Sequence, residues 1–176
     1  MLRFNTGISS SSAQGQNINF GIADYNDALT SVTPISILGG TGYVKLTNNA
    51  LGSFTNKLFL PVGVTDVWDS INNEFDFSEL SLGDTVDIRL DILVTTVSPN
   101  QNVDVKLVLG SGLGQYSIPF SNTSFKTAGI HPINVYNGIY MGDNNTRDNP
   151  AEFQIQSDGN CTVVVNGWYC KILKAS

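Results

Sequence analysis

The stretch Asp84-Thr-Val-Asp-Ile-Arg-Leu-Asp-Ile-Leu-Val-Thr-Thr-Val97 decides the fold class. Val86, Ile88, Leu90, Ile92 and Val94 fall on alternate positions, with Thr85, Asp87, Arg89, Asp91 and Thr95 on the opposite set. Successive side chains of an extended chain point to opposite faces, so this is a strand with one buried and one wet face. Immediately downstream, residues 102–109 repeat the pattern, with Val103, Val105, Leu107 and Leu109 opposed by Asp104 and Lys106. The link Ser98-Pro99-Asn100-Gln101 is turn chemistry and predicts that the two strands pair as a hairpin.

Further strands are expected at Gly42–Thr47, at Lys57–Leu60 (ended by Pro61), and at Gln115–Phe120, His131–Met141, Ala151–Gln156, Cys161–Val165 and Trp168–Leu173. Asn166-Gly167 between the last two matches a type I′ turn and predicts a tight hairpin. No segment keeps a helical period over three turns; Asp76–Leu80 is the one place for a single helical turn. Short strands separated by turn clusters indicate a sandwich or barrel. About eight to ten of them, with long irregular connections and no immunoglobulin Cys–Trp–Cys spacing, predict an all-β antiparallel β-sandwich of jelly-roll topology.

Residues 1–33 differ in character from 34–176. Ser9–Ser12 and Gln14–Asn19 are polar, small and turn-prone, interrupted by Leu2, Phe4, Ile8, Ile18, Phe20 and Ile22. Such a segment builds no core of its own. It is expected to be an extended N-terminal arm on a sandwich domain at 34–176, and those six apolar residues are its candidate partner contacts.

Composition narrows the function. The chain has 176 residues, one domain's worth, with 14% charged residues and a net charge of −6. The Lys and Arg residues form no run, so a nucleic-acid footprint is not expected. No apolar stretch approaches the length of a membrane-spanning helix. The start, MLRFNTGISSSS, is not a charged region followed by an apolar one, so the chain is expected to be made in a reducing cytoplasm, with Cys161 and Cys170 as free thiols.

Each candidate for chemistry has a blander reading. His131 is the only histidine and has no nucleophile motif near it, so a structural role is expected. Asp87 and Asp91 share one strand face, roughly 13 Å apart, too far for a glycosidase pair. Asp143, Asn145 and Asp148 in DNNTRD offer oxygen ligands for calcium, but the EF-hand pattern fails and an ordinary turn accounts for them. Asn122, Asn144 and Asn160 open glycosylation sequons that an Asn/Thr-rich chain produces by chance. Gly110-Ser-Gly-Leu-Gly114 joins strands and opens no helix, so it is not a phosphate cradle. Trp68, Trp168, Tyr116, Tyr136 and Tyr140 serve either a core or, where exposed, a sugar-stacking surface. The reading is a structural or binding module, not an enzyme, with no cofactor and no metal.

The run NEFDFSELSLGDTVDIRLDILVTT (Asn73–Thr96), the strand VDVKLVL (Val103–Leu109) and the terminal CTVVVNGWYCKIL (Cys161–Leu173) together resemble β-sandwich domains of tailed-bacteriophage virion proteins. Members of that group are often jelly rolls, some similar to the tumour-necrosis-factor fold, and commonly trimeric. The resemblance implies a capsid decoration (cement) protein on the virion surface, a homotrimer bound to the major capsid protein. A receptor- or carbohydrate-binding head or tail fibre protein is the alternative it implies. It brings no catalytic residue with it.

Overall fold

The computed structural model describes residues 20–175. Its strands, in chain order, are β1 (Phe20–Asn26), β2 (Ile35–Ile37), β3 (Val44–Lys45), β4 (Asn56–Phe59), β5 (Trp68–Asp69), β6 (Glu74–Phe75), β7 (Thr85–Thr96), β8 (Gln101–Leu109), β9 (Tyr116–Phe125), β10 (Gly129–Tyr140), β11 (Glu152–Ser157) and β12 (Cys161–Leu173). One short helix, α1 (Asn144–Asp148), precedes β11. The larger sheet has the order β10-β7-β12-β1-β4, with β2 also paired to β12; the second has the order β3-β11-β8-β9. β5 and β6 form a small separate ribbon.

Leaving aside β2, β4 and that ribbon, eight strands remain, and their arrangement is diagnostic. The first, third, sixth and eighth of them form one sheet, and the second, fourth, fifth and seventh form the other. The first and last strands lie side by side, Phe20 opposite Leu173 and Asn26 opposite Gly167. Two interlocked Greek keys over two sheets make a jelly roll. The chain is an all-β antiparallel sandwich of that topology.

The alternating residues build the core as expected. Val86, Ile88, Leu90, Ile92 and Val94 from β7 and Val103, Val105, Leu107 and Leu109 from β8 are all buried. They meet Phe153 and Ile155 of β11 and Val163, Val165, Trp168, Cys170 and Ile172 of β12. At the centre Trp168 packs edge-on to Trp68, centroids 4.7 Å apart, and lies 5.4 Å from Phe153. Each such side chain removed from water stabilises the fold by about 1.5–3 kcal/mol.

Four expectations change. The hairpin between β7 and β8 does not form, and the two strands belong to opposite sheets. Both edges of β7 are taken by β10 and β12, and both edges of β8 by β11 and β9. The link Val97–Asn100 therefore carries the chain over the sandwich edge, with Asn100 in the left-handed region at φ 58°.

The hairpin at Asn166-Gly167 is also absent. Cys161–Leu173 is a single strand, and Asn166 is an extra residue between Val165, opposite Ile92, and Gly167, opposite Asp91. The bulge switches the parity of the strand: Val163 and Val165 point inward before it, Trp168, Cys170 and Ile172 after it. Without it the second half would present Tyr169 and Lys171 to the core. Glycine is required beside the bulge because a Cβ at position 167 would lie 2.4 Å from the Tyr25 carbonyl oxygen.

The arm boundary moves as well. Phe20–Asn26, placed in the arm by sequence, is a strand paired along its length with β12. Its inward residues Ala23 and Tyr25 are buried, so this stretch is part of the sandwich. Finally, Asp76–Leu80 holds only a turn, closed by Leu80 N–H donating to the Phe77 carbonyl. The helical turn falls at α1 instead.

Candidate functional site

The outward surface of the larger sheet carries the most unusual feature of the molecule. β4 is its last strand, and all four β4 residues are exposed. Around it Leu58 is 87% exposed, Val62 84% and Phe54 79%, values typical of charged side chains rather than of Leu, Val and Phe. Phe59 pairs with Ile22 of β1, and the two line an apolar groove of about 370 Å³ with Phe20, Leu58, Pro61 and Val62. Beyond Phe59 a second depression of about 280 Å³ continues past Phe54 to Asp24 and Tyr169. Contiguous apolar surface of this kind marks a contact with another molecule.

The strip is held firmly from beneath. Asp66 accepts a hydrogen bond from the Tyr25 hydroxyl at 2.7 Å and an ion pair from Lys57 Nζ at 2.5 Å. One carboxylate thus ties the edge strand β4 to the buried strand β1. Burial alone would raise its pKa, but Lys57, the Tyr25 hydroxyl and the Trp68 N–H together hold it below the usual carboxylate range. Burial, with Asp66 alongside, pushes the Tyr25 hydroxyl well above the usual tyrosine range, so it stays a donor.

Of the six arm residues singled out by sequence, Phe20 and Ile22 lie in this groove; Leu2, Phe4, Ile8 and Ile18 lie outside the described residues. The sequence shows Lys57–Leu60 as a strand but not as a surface. The available signal was the unalternated run Leu58-Phe59-Leu60 abutting Pro61, since proline sits in sheets at edges.

The remaining candidates resolve into structural roles. His131 Nε2 lies 3.0 Å from the Thr127 carbonyl and its ring stacks on Phe125, centroids 4.1 Å apart. Arg89 bonds Asp91 at 2.8 Å, and Asn134 donates to the same carboxylate. DNNTRD is the capped helix α1: Asp143 Oδ1 accepts from Thr146 N–H at 2.7 Å, and Asp148 pairs with Arg147. An N-cap carboxylate is committed to the helix end. Among the described residues no group of three His, Cys, Asp or Glu is placed to hold a metal. Cys161 and Cys170 are free, buried and nine positions apart on one strand, out of reach of each other. Burial raises both thiols, making them poor nucleophiles. Trp68 and Trp168 are core residues, whereas Tyr136 and Tyr140 stand exposed on β10.

No protein-family model and no curated protein matches the sequence. Among solved structures the chain is similar to the infectious bursal disease virus Gt strain structure, at 10% identity and a TM-score of 0.47, over 88% of this chain and 33% of that one. It is similar to PRD1 vertex protein P5 at 14% identity and a TM-score of 0.37, over 89% of this chain and 96% of that one. The third is the cowpea mosaic virus top component, at 9% identity and a TM-score of 0.35, over 89% and 82%. The chain spans about a third of the length of the infectious bursal disease virus chain it matches.

Proposed function

We propose that this chain is a virion structural protein, a capsid decoration (cement) protein that sits on the capsid surface. In this reading it binds the major capsid protein as a homotrimer and stabilises the head. The observation that carries it is the uncovered apolar strip of Phe20, Phe54, Leu58, Phe59 and Val62 along the open edge of the larger sheet. An edge strand with apolar side chains left in water invites another chain, and an assembly protein closes such an edge in its interfaces. The jelly roll, with its core filled by both sheets, supplies a rigid body for that contact. Residues 1–19, with Leu2, Phe4, Ile8 and Ile18, serve as the arm.

The test is light scattering on the purified full chain together with co-sedimentation on capsids that lack it. Trimers in solution and saturable capsid binding are expected. Phe59→Asp with Leu58→Asp should remove one or both while circular dichroism and melting stay as in the parent. Unchanged assembly and binding in that variant would sink the role of the strip. Deleting residues 2–18 should weaken capsid binding and leave the sandwich folded.

A further inference from the structure

The outer face of the second sheet has the opposite character and, we infer, a ligand of its own. We propose that the groove across β11, β8 and β9 binds a neutral hexopyranose, free or at the end of a glycan. The proposal is independent of the assembly role of the β4 strip, which lies on the opposite face of the sandwich.

The groove has a volume of about 340 Å³, within the range of small-ligand sites, and is lined by Asn102, Asp104, Asn122, Gln156 and Asp158. Its floor is one row across three neighbouring strands: Asn122 opposite Asp104, and Asp104 opposite Gln156. The two carboxylates are already oriented. Tyr43 donates its hydroxyl to Asp104 Oδ2, and Asp158 accepts from the Asn102 backbone N–H at 2.8 Å and from its side-chain amide at 2.5 Å. The hydrogen bond to Asp104 pushes the Tyr43 hydroxyl up to about 12, so it remains a donor. Asn122 and Gln156 flank Asp104 with amides that make no hydrogen bond to another described residue and are therefore free for a ligand.

This donor set selects among ligand classes. An amide–carboxylate–amide row offers paired donors and acceptors, which is what a sugar hydroxyl, itself donor and acceptor, requires. Two carboxylates in the groove repel an anionic sugar or a phosphate. Lys106, on the same strand as Asp104, stands over the Tyr43 ring at 3.7 Å rather than in the groove. The site lacks the three-carboxylate cluster that a divalent cation would need.

The experiment uses the full chain, isotope-labelled, titrated by two-dimensional NMR with galactose, glucose, mannose, N-acetylglucosamine and N-acetylgalactosamine. N-acetylneuraminic acid serves as the anionic control. At least one neutral sugar should shift the amides of Asn102–Asp104, Asn122 and Gln156–Asp158 in a saturable way, and the anionic control should not. Gln156→Ala and Asn122→Ala should each weaken that binding about tenfold, the loss of one or two ligand hydrogen bonds, with an unchanged melting temperature. Asp104→Asn should weaken it similarly while keeping side-chain shape. Absence of any shift up to the solubility of the five sugars overturns the proposal. So do shifts confined to the Tyr136–Tyr169 face, or equal binding of the anionic sugar. Neither result bears on the trimer or capsid measurements, which test the β4 strip alone.

Discussion

β1 has two neighbours in the larger sheet, and they could hardly be more different. β12 on one side places Val163, Val165, Trp168, Cys170 and Ile172 in the core, none more than 1% exposed. β4 on the other side holds Leu58 and Phe59, equally apolar, and leaves them in water. Both strands hydrogen-bond to β1. What separates them is that β12 has a strand on each side and a sheet beneath it, while β4 ends the sheet. Apolar content therefore says that a residue wants burial; position in the sheet says whether this chain supplies it. Where the chain does not, the side chains stay in water, and under the proposed function the contrast between the two strands separates residues that serve folding from residues offered for contact.

The largest effect that tests this contrast is at Trp168. Its ring fills the space between Trp68, Phe75 and Phe153. Trp168→Ala should cost about 3–5 kcal/mol, measured by denaturant unfolding, by loss of transfer energy and the cavity left behind. Trp168→Phe should cost far less than its volume change suggests. The buried indole N–H has no hydrogen-bond partner among the described residues, and replacing it removes an unsatisfied donor along with the lost contacts. Equal losses in the two variants would show that this N–H is paired in solution.

Gly167→Ala comes next. The added Cβ meets the Tyr25 carbonyl at 2.4 Å and the Asn26 Cα at 3.0 Å, both backbone atoms of β1. The strands must part, at about 2–3 kcal/mol by the usual cost of overpacking. Deleting Asn166 is the sharper form of the same test. It removes the parity switch and turns Trp168, Cys170 and Ile172 away from the core together, so no soluble folded chain is expected.

These positions also show what was legible in the sequence. The inward faces of β7 and β8 were read residue by residue, because alternation over many positions fixes which side is buried. Alternation says nothing about which strand lies alongside, so Ser98–Gln101 reads as a hairpin turn although it crosses between sheets. Asn166-Gly167 misled for a related reason. The same dipeptide supplies a type I′ turn or a bulge, and the 12-residue partner strand β7, unbroken through this stretch, selects the bulge. Phe20–Asn26 reads as arm because it follows the polar, turn-prone residues 9–19, yet its small residues are what fits in the sheet: a Cβ on Gly21 would lie 2.4 Å from the Pro61 nitrogen. The β4 strip and the groove on the second sheet were invisible as sites, since each is assembled from segments far apart in the chain.

A pH titration isolates the tie between the two regions. The Asp66 carboxyl has a folded pKa below its ordinary 3.8, so it binds its proton less readily in the folded state than in the unfolded one. Its contribution is complete above the unfolded value and is lost as pH falls through the folded one. Asp66→Asn should therefore be less stable than the parent at about pH 6, and the gap should close as pH falls toward about 2. Because the carboxylate is partly exposed, added salt should shrink the gap as well. A gap independent of pH would mean that the geometry at Tyr25, rather than the charge on Asp66, holds β4 in place.

The smallest expected change in stability is at Leu58, and it is the most telling one. Leu58→Ala removes as many carbon atoms as a core Leu→Ala substitution, yet this side chain is 87% exposed and leaves no cavity. Unfolding free energy should stay within about 0.5 kcal/mol of the parent, as for surface substitutions generally. Leu90→Ala in β7, fully buried, should lose about 2–5 kcal/mol. If Leu58 instead proves costly when the protein is dilute enough to be monomeric, its partner lies within the same chain. If the cost emerges only at concentrations where the parent associates, the strip is covered by another copy. The concentration dependence of a single melting series therefore decides whether the apolar edge belongs to the fold or to the assembly.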